Sequence, residues 1–459
     1  MKTLRHYRTN CQFRRNSLAM IKTTLGEPKW KEDVIGQVAS CSHSFNQCLE
    51  HNRNLLAPLC KNSQEGLSFP NKFTFVIGNE ASDADSVISS LVYAFYKSKT
   101  AYTDEAYIPV VPIPREQLEL RCEIVSLLQA LRINLDHLHF VDEIDWKCVR
   151  KHHSTLSWIL MDHNFLNNKH VYQAIESTSQ SKEDVADVIE IIDHHKDQNK
   201  HLKALYRNVA FQGSRALVGS CCTLVAEQLS FTKYIPEQAT MCEAGLLSTL
   251  LLSVVALDTI NFDLSAKKAT SRDVAMAEWL DTFSYASKDS LYEWLAEQKS
   301  NEEHWKRFSV QNCLDYDYKE FDINGTSGHR FGVSSVLISL AKVAEKCRAK
   351  DIFLAELKEF CCRNSIIFLV IMTVEREAKT RGVKREILFY EEGSTDYVKQ
   401  CVNHLVIDKS NELSLLPLTD FQYQDTDHIR VLRQCNTTAS RKQVVPLLEE
   451  ALHSIAKYN

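Results

Sequence analysis

The 459-residue sequence predicts an α/β fold, with a mostly parallel, doubly wound sheet followed by a smaller α/β domain. From Lys72 onward, short apolar runs alternate with stretches that have helical periodicity. Gly (12 residues) and Pro (9 residues) are scarce, which favours helix-rich packing. Several polar clusters come directly after apolar runs. Because ligands of open α/β sheets bind outside the carboxyl ends of the strands, these clusters are expected to form one site.

The predicted elements of the first domain can be followed in order. Residues 73–77 form a β-rich run that ends at Gly78, and residues 86–96 have apolar side chains on one helical face. Further strands are predicted over residues 106–111, 156–161 and 185–192, and a helix over residues 117–131. Strands separated by helices imply parallel pairing through right-handed crossovers.

Changes in polarity and in secondary-structure pattern along the chain predict four segments. Residues 1–70 are expected to be an irregular, polar N-terminal extension, and residues 71–284 the first domain. Residues 285–304 are polar and helical, as in a linker, and residues 305–459 are expected to form the second domain.

The composition narrows the classes of partner. The formal net charge of −5 gives no signature of stable nucleic-acid binding, so an anionic substrate needs local positive charge or metal ions. The 15 cysteines include no CxxC pair, which predicts reduced, mostly buried thiols in a reducing, cytoplasmic compartment. The apolar stretch at residues 244–260 contains Thr249, Ser253 and Asp258, which favours a buried helix or strand over a membrane span.

The first 26 residues carry six Lys or Arg residues and no acidic residue. This charge pattern is similar to that of a mitochondrial targeting segment. The alternative is an unstructured start, with Met20 as a second initiator.

The first polar cluster contains Asp83 and Asp85, soon after the strand at residues 73–77. A loop in this position can aim two carboxylates at neighbouring metal ions, and oxygen ligands suit Mg²⁺ or Mn²⁺. The alternative is a solvated turn in which Asp85 or Ser86 caps the following helix.

The next clusters follow two other predicted strands. Asp162 comes directly after residues 156–161, and Asp193, His194 and His195 follow residues 185–192. One of two adjacent imidazoles can bind a metal ion while its neighbour faces the substrate. A polar residue at a strand end is also common without any ligand.

Asp258 follows the apolar stretch at residues 246–256. If this carboxylate is buried, it needs a partner, because an unpaired buried charge is costly, and a metal ion would be such a partner. The alternative is an aspartate at a helix end or in a loop that faces water.

The order of these clusters resembles the four motifs of the DHH phosphoesterases, in the exopolyphosphatase and prune branch. The residues that carry the resemblance are Asn79, Asp83, Asp85, Asp162, Asp193, His194, His195 and Asp258. Residues 217–225 are similar to the helix-start element of that branch, and residues 440–446 to the phosphate-binding signature of a C-terminal DHHA2 domain. The resemblance spans about residues 72–457 and implies a catalytic DHH domain at residues 71–284 followed by a DHHA2 domain at residues 305–459. It also implies an active site in the cleft between the two domains, which closure could shield from water.

The resemblance implies a site with two divalent cations, Mg²⁺ or Mn²⁺. Asp162 and Asp258 would contact both ions, Asp83 would hold one with Asn79 nearby, and Asp85 and His194 would hold the other. His195 would stabilise or protonate the leaving phosphate oxygen. The implied phosphate-binding cations are Arg441 and Lys442, with Lys268, Arg115 and Arg121 as weaker candidates.

Two departures refine the expected activity. The related pyrophosphatases have a His where this chain has Asn79, which argues against plain pyrophosphatase activity. Vertebrate-type prune proteins change the second His of the third motif, whereas this chain keeps His195. The sequence therefore predicts a metal-dependent exopolyphosphatase that hydrolyses terminal phosphoanhydride bonds of short-chain inorganic polyphosphate. The alternatives are a prune-like cyclic-nucleotide phosphodiesterase and a regulatory protein that binds a nucleoside diphosphate kinase.

Overall fold

The computed structural model describes residues 28–59, 70, 72–101, 105–152, 156–166, 187–323, 328–376, 382–391, 397–408, 410–423 and 428–456. The basic segment at residues 1–26 lies outside them. The chain divides into two compact units between Lys299 and Ser300, within the segment predicted as a linker.

The first unit contains a six-stranded parallel sheet, as predicted from the alternation of strands and helices. Its strands are β1 (Lys72–Ile77), β2 (Glu105–Val111), β3 (His139–Phe140), β4 (Ser157–Met161), β5 (Asp187–Asp193) and β6 (Tyr206–Val209). Their order is β3-β2-β1-β4-β5-β6. The chain therefore reverses its winding between β1 and β4, and a crevice is expected at such a switch point.

Helices cover both faces of this sheet. They are α1 (Lys29–Leu59), α2 (Ala84–Thr100), α3 (Cys122–Ala130), α4 (Trp146–His152), α5 (Cys221–Phe231), α6 (Met241–Asp258), α7 (Ser271–Asp281) and α8 (Lys288–Ser300). A hairpin of β7 (Phe211–Gln212) and β8 (Arg215–Ala216) follows the sheet. Alternate residues of β1 serve different cores, because Phe73 and Phe75 pack with Trp158 on one face while Val76 packs with α2 on the other.

Helix α1 corrects the expectation that residues 1–70 are irregular. Cys41, Phe45 and Leu49 recur every four residues and are buried, and the Phe45 ring stacks on Phe95 of α2 with centroids 4.9 Å apart. The helix forms because this narrow apolar stripe is buried against the rest of the first unit. Most of the other residues of the helix are polar.

The disulfide between Cys41 of α1 and Cys242 of α6 is the exception to the prediction of reduced thiols, because the eleven other described cysteines are free. The two Cα atoms lie 4.6 Å apart, within the range that a disulfide spans. The pairing of residues 201 positions apart comes from tertiary packing, which cysteine spacing does not reveal.

The apolar stretch at residues 244–260 is a buried helix. It belongs to α6, which begins with a capping box between Thr240 and Glu243 and ends at Asp258. By length and composition, α6 is the one helix among the described residues that could cross a membrane, and 83% of it is buried inside the structure. A buried core helix passes the same test.

The predicted helix over residues 117–131 is divided in two. A 3₁₀ segment covers Arg115–Leu120, and α3 begins at Cys122. Arg121 lies between them and is 1% exposed, so its guanidinium acts inside the unit.

The second unit has its own six-stranded sheet. Its strands are β9 (Tyr318–Asp322), β10 (Arg330–Val336), β11 (Phe368–Thr373), β14 (Glu386–Glu391), β15 (Leu415–Pro417) and β16 (Ile429–Gln434), and β12 (Glu375–Arg376) and β13 (Val383–Lys384) form a separate pair. The order in the sheet is β15-β16-β14-β11-β10-β9. Only β10 and β11 are parallel neighbours among the described strands of this sheet.

The helices of the second unit are α9 (Glu302–Arg307), α10 (Val310–Asp315), α11 (Leu340–Ala344), α12 (Lys350–Asn364), α13 (Tyr397–Asn403), α14 (Ser410–Leu413) and α15 (Arg441–Ala456). α15 begins at Arg441 and packs Val444 and Leu448 into the core of this unit.

Candidate metal centre

Three neighbouring parallel strands bring the predicted ligands to one edge of the first sheet. β1 leads into the loop that carries Asp83, β4 is followed by Asp162, and β5 ends at Asp193. Asp162 has a left-handed backbone with φ of 62° and donates its N–H to the Ile192 carbonyl at 2.9 Å. An aspartate tolerates this conformation better than most residues do, and such outliers cluster at functional sites.

Asp162 lies at the centre of the site and is 2% exposed. Its Oδ1 is 3.2 Å from Nε2 of His194 and 3.5 Å from Nδ1 of His195. Nε2 of His194 is also 3.5 Å from Oδ2 of Asp85. The ligand atoms of Asp162, His194 and His195 all lie within 4.8 Å of one another, as metal ligands do.

The two adjacent imidazoles are oriented differently. Nδ1 of His194 lies 3.0 Å from the carbonyl oxygen of Val218, which can only accept, so this nitrogen carries the proton and Nε2 points at the carboxylates. Nδ1 of His195 donates to Oδ1 of Asp193 at 2.8 Å. The His195 side chain is 28% exposed against 3% for His194, so His195 faces the open side of the site.

Asp85 is held by the first turn of α5. Ser220 Oγ donates to its Oδ1 at 2.6 Å, Cys222 N donates to Oδ1 at 2.9 Å, and Cys221 N donates to Oδ2 at 2.6 Å. An ionised carboxylate has about four lone-pair sites, so Oδ2 retains one for a cation.

The loop that carries Asp83 has its own supports. Oδ1 of Asp83 accepts from Ser86 N at 3.0 Å, so Asp83 caps α2, rather than Asp85 or Ser86 as the capping alternative expected. Gly78 is required at the loop start, because a Cβ there would lie 2.0 Å from Ser86 Oγ. Asp83 remains half-buried, and capping uses only one of its lone pairs.

Asp258, the last residue of α6, faces the same cluster. Burial raises the pKa of this carboxyl group well above its ordinary value, and the negative charges of Asp85 and Asp83 raise it further. The positive charge of Lys299 partly opposes this shift. Charge repulsion of this kind requires the carboxylates to be close together.

The other carboxyl groups of the site shift in opposite directions. Burial raises the pKa of Asp162 to about 7, and the charges of Asp85 and Asp83 add to the effect. For Asp193, burial also opposes ionisation, but the adjacent His195 outweighs it and holds the pKa well below its ordinary range. Asp193 is therefore an ionised partner of His195. Asp162 is instead buried beside Asp85 and Asp83, and their combined negative charge is unfavourable there without a cation.

Two buried atoms indicate a fit to metal ions. Oδ1 of Asp162 and Oδ2 of Asp258 accept no hydrogen bond from any described residue. Buried polar atoms nearly always have a partner, and a cation would be one for both. The donor set of carboxylate oxygens and one imidazole nitrogen suits Mg²⁺ or Mn²⁺.

The structure places the predicted phosphate-binding cations in several environments. Arg441, at the start of α15, donates to the backbone oxygen of Asp317 at 2.8 Å and to its Oδ1 at 2.7 Å. Lys442 follows it, and Lys268 is an exposed residue of the first unit. Arg441 and Lys442 belong to the second unit, so their placement at a shared cleft stays a prediction.

The two weaker arginine candidates are structural. Arg121 donates to the backbone oxygens of Ala81 and Gln117, so it supports the Asp83 loop from inside the unit. Arg115 pairs with Glu143 and donates to Leu135 and Leu138 carbonyls. Protein oxygens engage both guanidiniums, so the structure gives these side chains structural roles, and phosphate binding by them stays a prediction.

Sequence reasoning did not identify the groups that hold the candidate ligands in place. Ser220 was recognised only as part of a helix-start element, although Ser before an apolar run is a helix-cap signal. Asn164 donates to Oδ2 of Asp193 at 2.6 Å, and nothing in its sequence context predicts that bond.

Comparisons with known proteins agree with this arrangement. The DHH family, N-terminal domain, matches residues 74–254, and the DHHA2 domain matches residues 295–451. The exopolyphosphatase PRUNE1 of Homo sapiens is 30% identical over 381 residues, which cover 82% of this chain and 75% of that protein. The chain therefore belongs to the DHH family of phosphoesterases, in the branch that joins a DHH domain to a DHHA2 domain.

Two more distant proteins share the family or the fold. A manganese-dependent inorganic pyrophosphatase of Methanothrix thermoacetophila is 25% identical over 304 residues, covering 66% of this chain and 81% of that protein. The crystal structure of a Methanococcus jannaschii protein assigned to the family II inorganic pyrophosphatases has a TM-score of 0.52 and 21% identity, covering 82% of this chain and 99% of that one. The latter similarity supports the α/β fold alone.

Proposed function

We propose that this protein is a metal-dependent phosphohydrolase that removes terminal phosphates from short chains of inorganic polyphosphate. The observation that carries the proposal is the convergence of Asp85, Asp162, His194 and Asp258 around carboxylate oxygens that accept no hydrogen bond from the described residues. The PRUNE1 relative bears the name exopolyphosphatase, which supports the same class of reaction.

Two divalent cations, Mg²⁺ or Mn²⁺, fit this set of ligands. Asp162 and Asp258 would contact both, Asp83 would hold one, and Asp85 with His194 would hold the other. Bound there, the ions would polarise a phosphate oxygen and lower the pKa of a coordinated water. The manganese-dependent relative supports the use of a divalent metal.

His195 is placed to assist the leaving phosphate. Its Nδ1–H is anchored on Asp193, whose carboxylate stays ionised and would stabilise the imidazolium form. A proton on Nε2 could then be given to the leaving phosphate oxygen as general acid. The partial exposure of this side chain agrees with contact to a substrate from solution.

Asn79 favours longer anhydrides over pyrophosphate in this proposal. Its Nδ2 donates a hydrogen bond to Asp162. As an asparagine, it offers no imidazole ligand where the related pyrophosphatases have one. Arg441, Lys442 and Lys268 would bind the phosphates beyond the one that is cleaved.

The deciding assay measures phosphate release from tripolyphosphate and pyrophosphate, and conversion of cyclic AMP to AMP, each with Mg²⁺ or Mn²⁺. Asp162→Asn is expected to abolish phosphate release with the fold intact by circular dichroism. Asp145→Asn is the matched control, because this exposed helix-capping aspartate lies outside the site and Asn also caps.

Two results would overturn the proposal. Unchanged phosphate release by Asp162→Asn would exclude the metal-centre mechanism. Fast turnover of cyclic AMP without release of phosphate from polyphosphate would favour the phosphodiesterase alternative. Binding of a nucleoside diphosphate kinase and a cytoplasmic location remain predictions from the sequence, and Asp162→Asn would separate a binding role from hydrolysis.

A further inference from the structure

Asp273, on α7, is a buried carboxylate outside the group of ligands. It is 0% exposed, and four neutral donors hold it, one of which, the Gly219 N–H, is shared by both carboxylate oxygens. Its Oδ1 accepts from Gly219 N at 2.9 Å and Thr223 Oγ1 at 2.6 Å. Its Oδ2 accepts from Gly219 N at 2.8 Å, Thr270 N at 2.7 Å and Thr270 Oγ1 at 2.8 Å.

The hydrogen bonds of Asp273 hold the same first turn of α5 that holds Asp85. Gly219 precedes Ser220, and Thr223 lies in the first turn of α5, so Asp273 holds this turn on both sides of the groups that hold Asp85. Each hydrogen bond in this series from Asp273 to Asp85 is 2.9 Å or shorter.

The packing around Gly219 leaves this turn no room to adjust. A Cβ on Gly219 would lie 2.7 Å from the carbonyl oxygen of Lys268 and 2.9 Å from Cγ2 of Thr259. Thr259 is the residue after Asp258, so the same close packing fixes the end of α6. Asp273 thus acts on a tightly enclosed segment between two of the ligands.

Helix capping alone does not explain these contacts. The capping box of α7 pairs Asp273 with Thr270, which engages Oδ2. The bonds of Oδ1 to Gly219 and Thr223 contribute nothing to that cap, and they join α7 to α5. An uncharged Asn could serve in a cap, but either orientation of its amide would place an NH₂ group against the N–H of Gly219.

We infer that Asp273 is a positioning residue of the metal centre, which holds the first turn of α5 so that Asp85 presents Oδ2 to a divalent cation. This inference rests on the proposed metal-dependent function. Partners that orient a ligand contribute strongly to metal affinity, and their loss typically weakens binding by about 10–100-fold.

The test measures Mn²⁺ binding by titration calorimetry on the full chain, alongside thermal unfolding in EDTA and the kinetics of tripolyphosphate hydrolysis. Asp273→Asn is expected to raise the Mn²⁺ dissociation constant about 10-fold or more. Saturating Mn²⁺ should restore much of kcat, since the ligands themselves are retained. Asp85→Asn is the reference for loss of a ligand.

Arg272→Gln is the matched control, because it removes the ion pair with Glu227 from the same helix without touching α5's first turn. It should keep the Mn²⁺ affinity of the natural sequence even if it unfolds earlier. An unchanged dissociation constant in Asp273→Asn would overturn the inference and leave the residue a purely structural one.

Thr223→Val provides a milder variant in case Asp273→Asn does not fold, because it removes a single bond to Asp273. It should weaken Mn²⁺ binding in the same direction, and wild-type affinity would overturn the inference. A natural sequence that binds no Mn²⁺ or Mg²⁺ would instead overturn the proposed function, so the two failures are distinguishable.

Discussion

Asn79 donates a hydrogen bond from Nδ2 to Oδ2 of Asp162 over 2.6 Å, while its own Oδ1 accepts from Ala81 N at 2.9 Å. The second bond fixes which end of the amide faces the site. Asn79 therefore supports a ligand and turns its oxygen away from the place where a cation would bind. An imidazole at this position would change that relationship.

Replacing Asn79 by His is expected to strengthen Mn²⁺ binding relative to Mg²⁺ and to increase pyrophosphate hydrolysis relative to tripolyphosphate. The reason is that an added nitrogen ligand favours Mn²⁺ over Mg²⁺, which prefers oxygen ligands. Calorimetric titration with each ion and the two hydrolysis rates measure the change. Asn79→Ala removes the hydrogen bond without adding a ligand and should not shift the preference. An equal Mn²⁺ to Mg²⁺ ratio in Asn79→His and Asn79→Ala would contradict this prediction.

Removal of divalent ions is expected to destabilise the first unit. Without a cation, Asp85, Asp162 and Asp258 repel one another in a buried site, which is why burial and mutual charge raise two of their pKa values. An ion at 100 times its dissociation constant should stabilise the native state by about 2.7 kcal/mol. Thermal unfolding with Mn²⁺ and with EDTA measures this difference. The Asp162→Asn variant should lose most of the difference, and retention of the full difference would place the ion elsewhere.

Arg441→Lys should raise KM for tripolyphosphate about tenfold, which corresponds to about 1.4 kcal/mol. The Arg441 guanidinium bonds two oxygens of Asp317 at once, and the planar fork is thereby fixed in direction. A lysine ammonium cannot reproduce that geometry. Steady-state kinetics on tripolyphosphate tests the change, with Asp317→Asn as the companion variant. Lower stability with an unchanged KM in Arg441→Lys would mean that the Asp317 pair is only structural.

His139 of β3 is expected to make stability depend on pH. Burial, with the nearby charges of Arg53 and Arg115, lowers its pKa to about 3. Because its pKa in the unfolded chain is about 6.5, the unfolded state binds more protons between these values. The contribution to stability is complete above about pH 6.5 and is lost as the pH falls, by up to about 1.4 kcal/mol per pH unit.

Urea unfolding at several pH values between 7 and 4.5 would measure this slope. His139→Leu should flatten it, because the residue no longer takes up a proton on unfolding. His51→Leu, at an exposed position of α1, is the control and should leave the slope as it is. Equal slopes in both variants would show that other groups cause the acid sensitivity.

Four strands of the first sheet, β1, β2, β4 and β5, and the grouping of the candidate ligands could be predicted from the sequence because their signals are local. Each of these four strands is an apolar run, and a carboxylate or imidazole stands at the end of β4 and of β5. The parallel order then brings those ends together without further information. The short strands β3 and β6 have no such apolar run and were not predicted. Helix α1 and the disulfide of Cys41 depend instead on burial against residues 50 or more positions away, so no short window of sequence carries their signal.

The supports of the site were also beyond local reasoning. Asp273 forms a capping box with Thr270, which a sequence pattern can suggest, but its bonds to Gly219 join residues 54 positions apart. Arg121 has an arginine's usual association with anions, yet its donors face the carbonyl of Ala81. In both cases the sequence shows which residue type is present, but tertiary packing determines which group it binds.

Two of the three groups that grip Asp85 are main-chain amides, those of Cys221 and Cys222. These two hydrogen bonds therefore do not depend on which side chains occupy the two positions, provided that the side chains fit the core. Proline is the exception. The first position of a helix ordinarily accepts proline, because its N–H has no partner within the helix. Here Cys221 holds that position and its N–H donates to Asp85, so a substitution that most helices tolerate would loosen a proposed metal ligand.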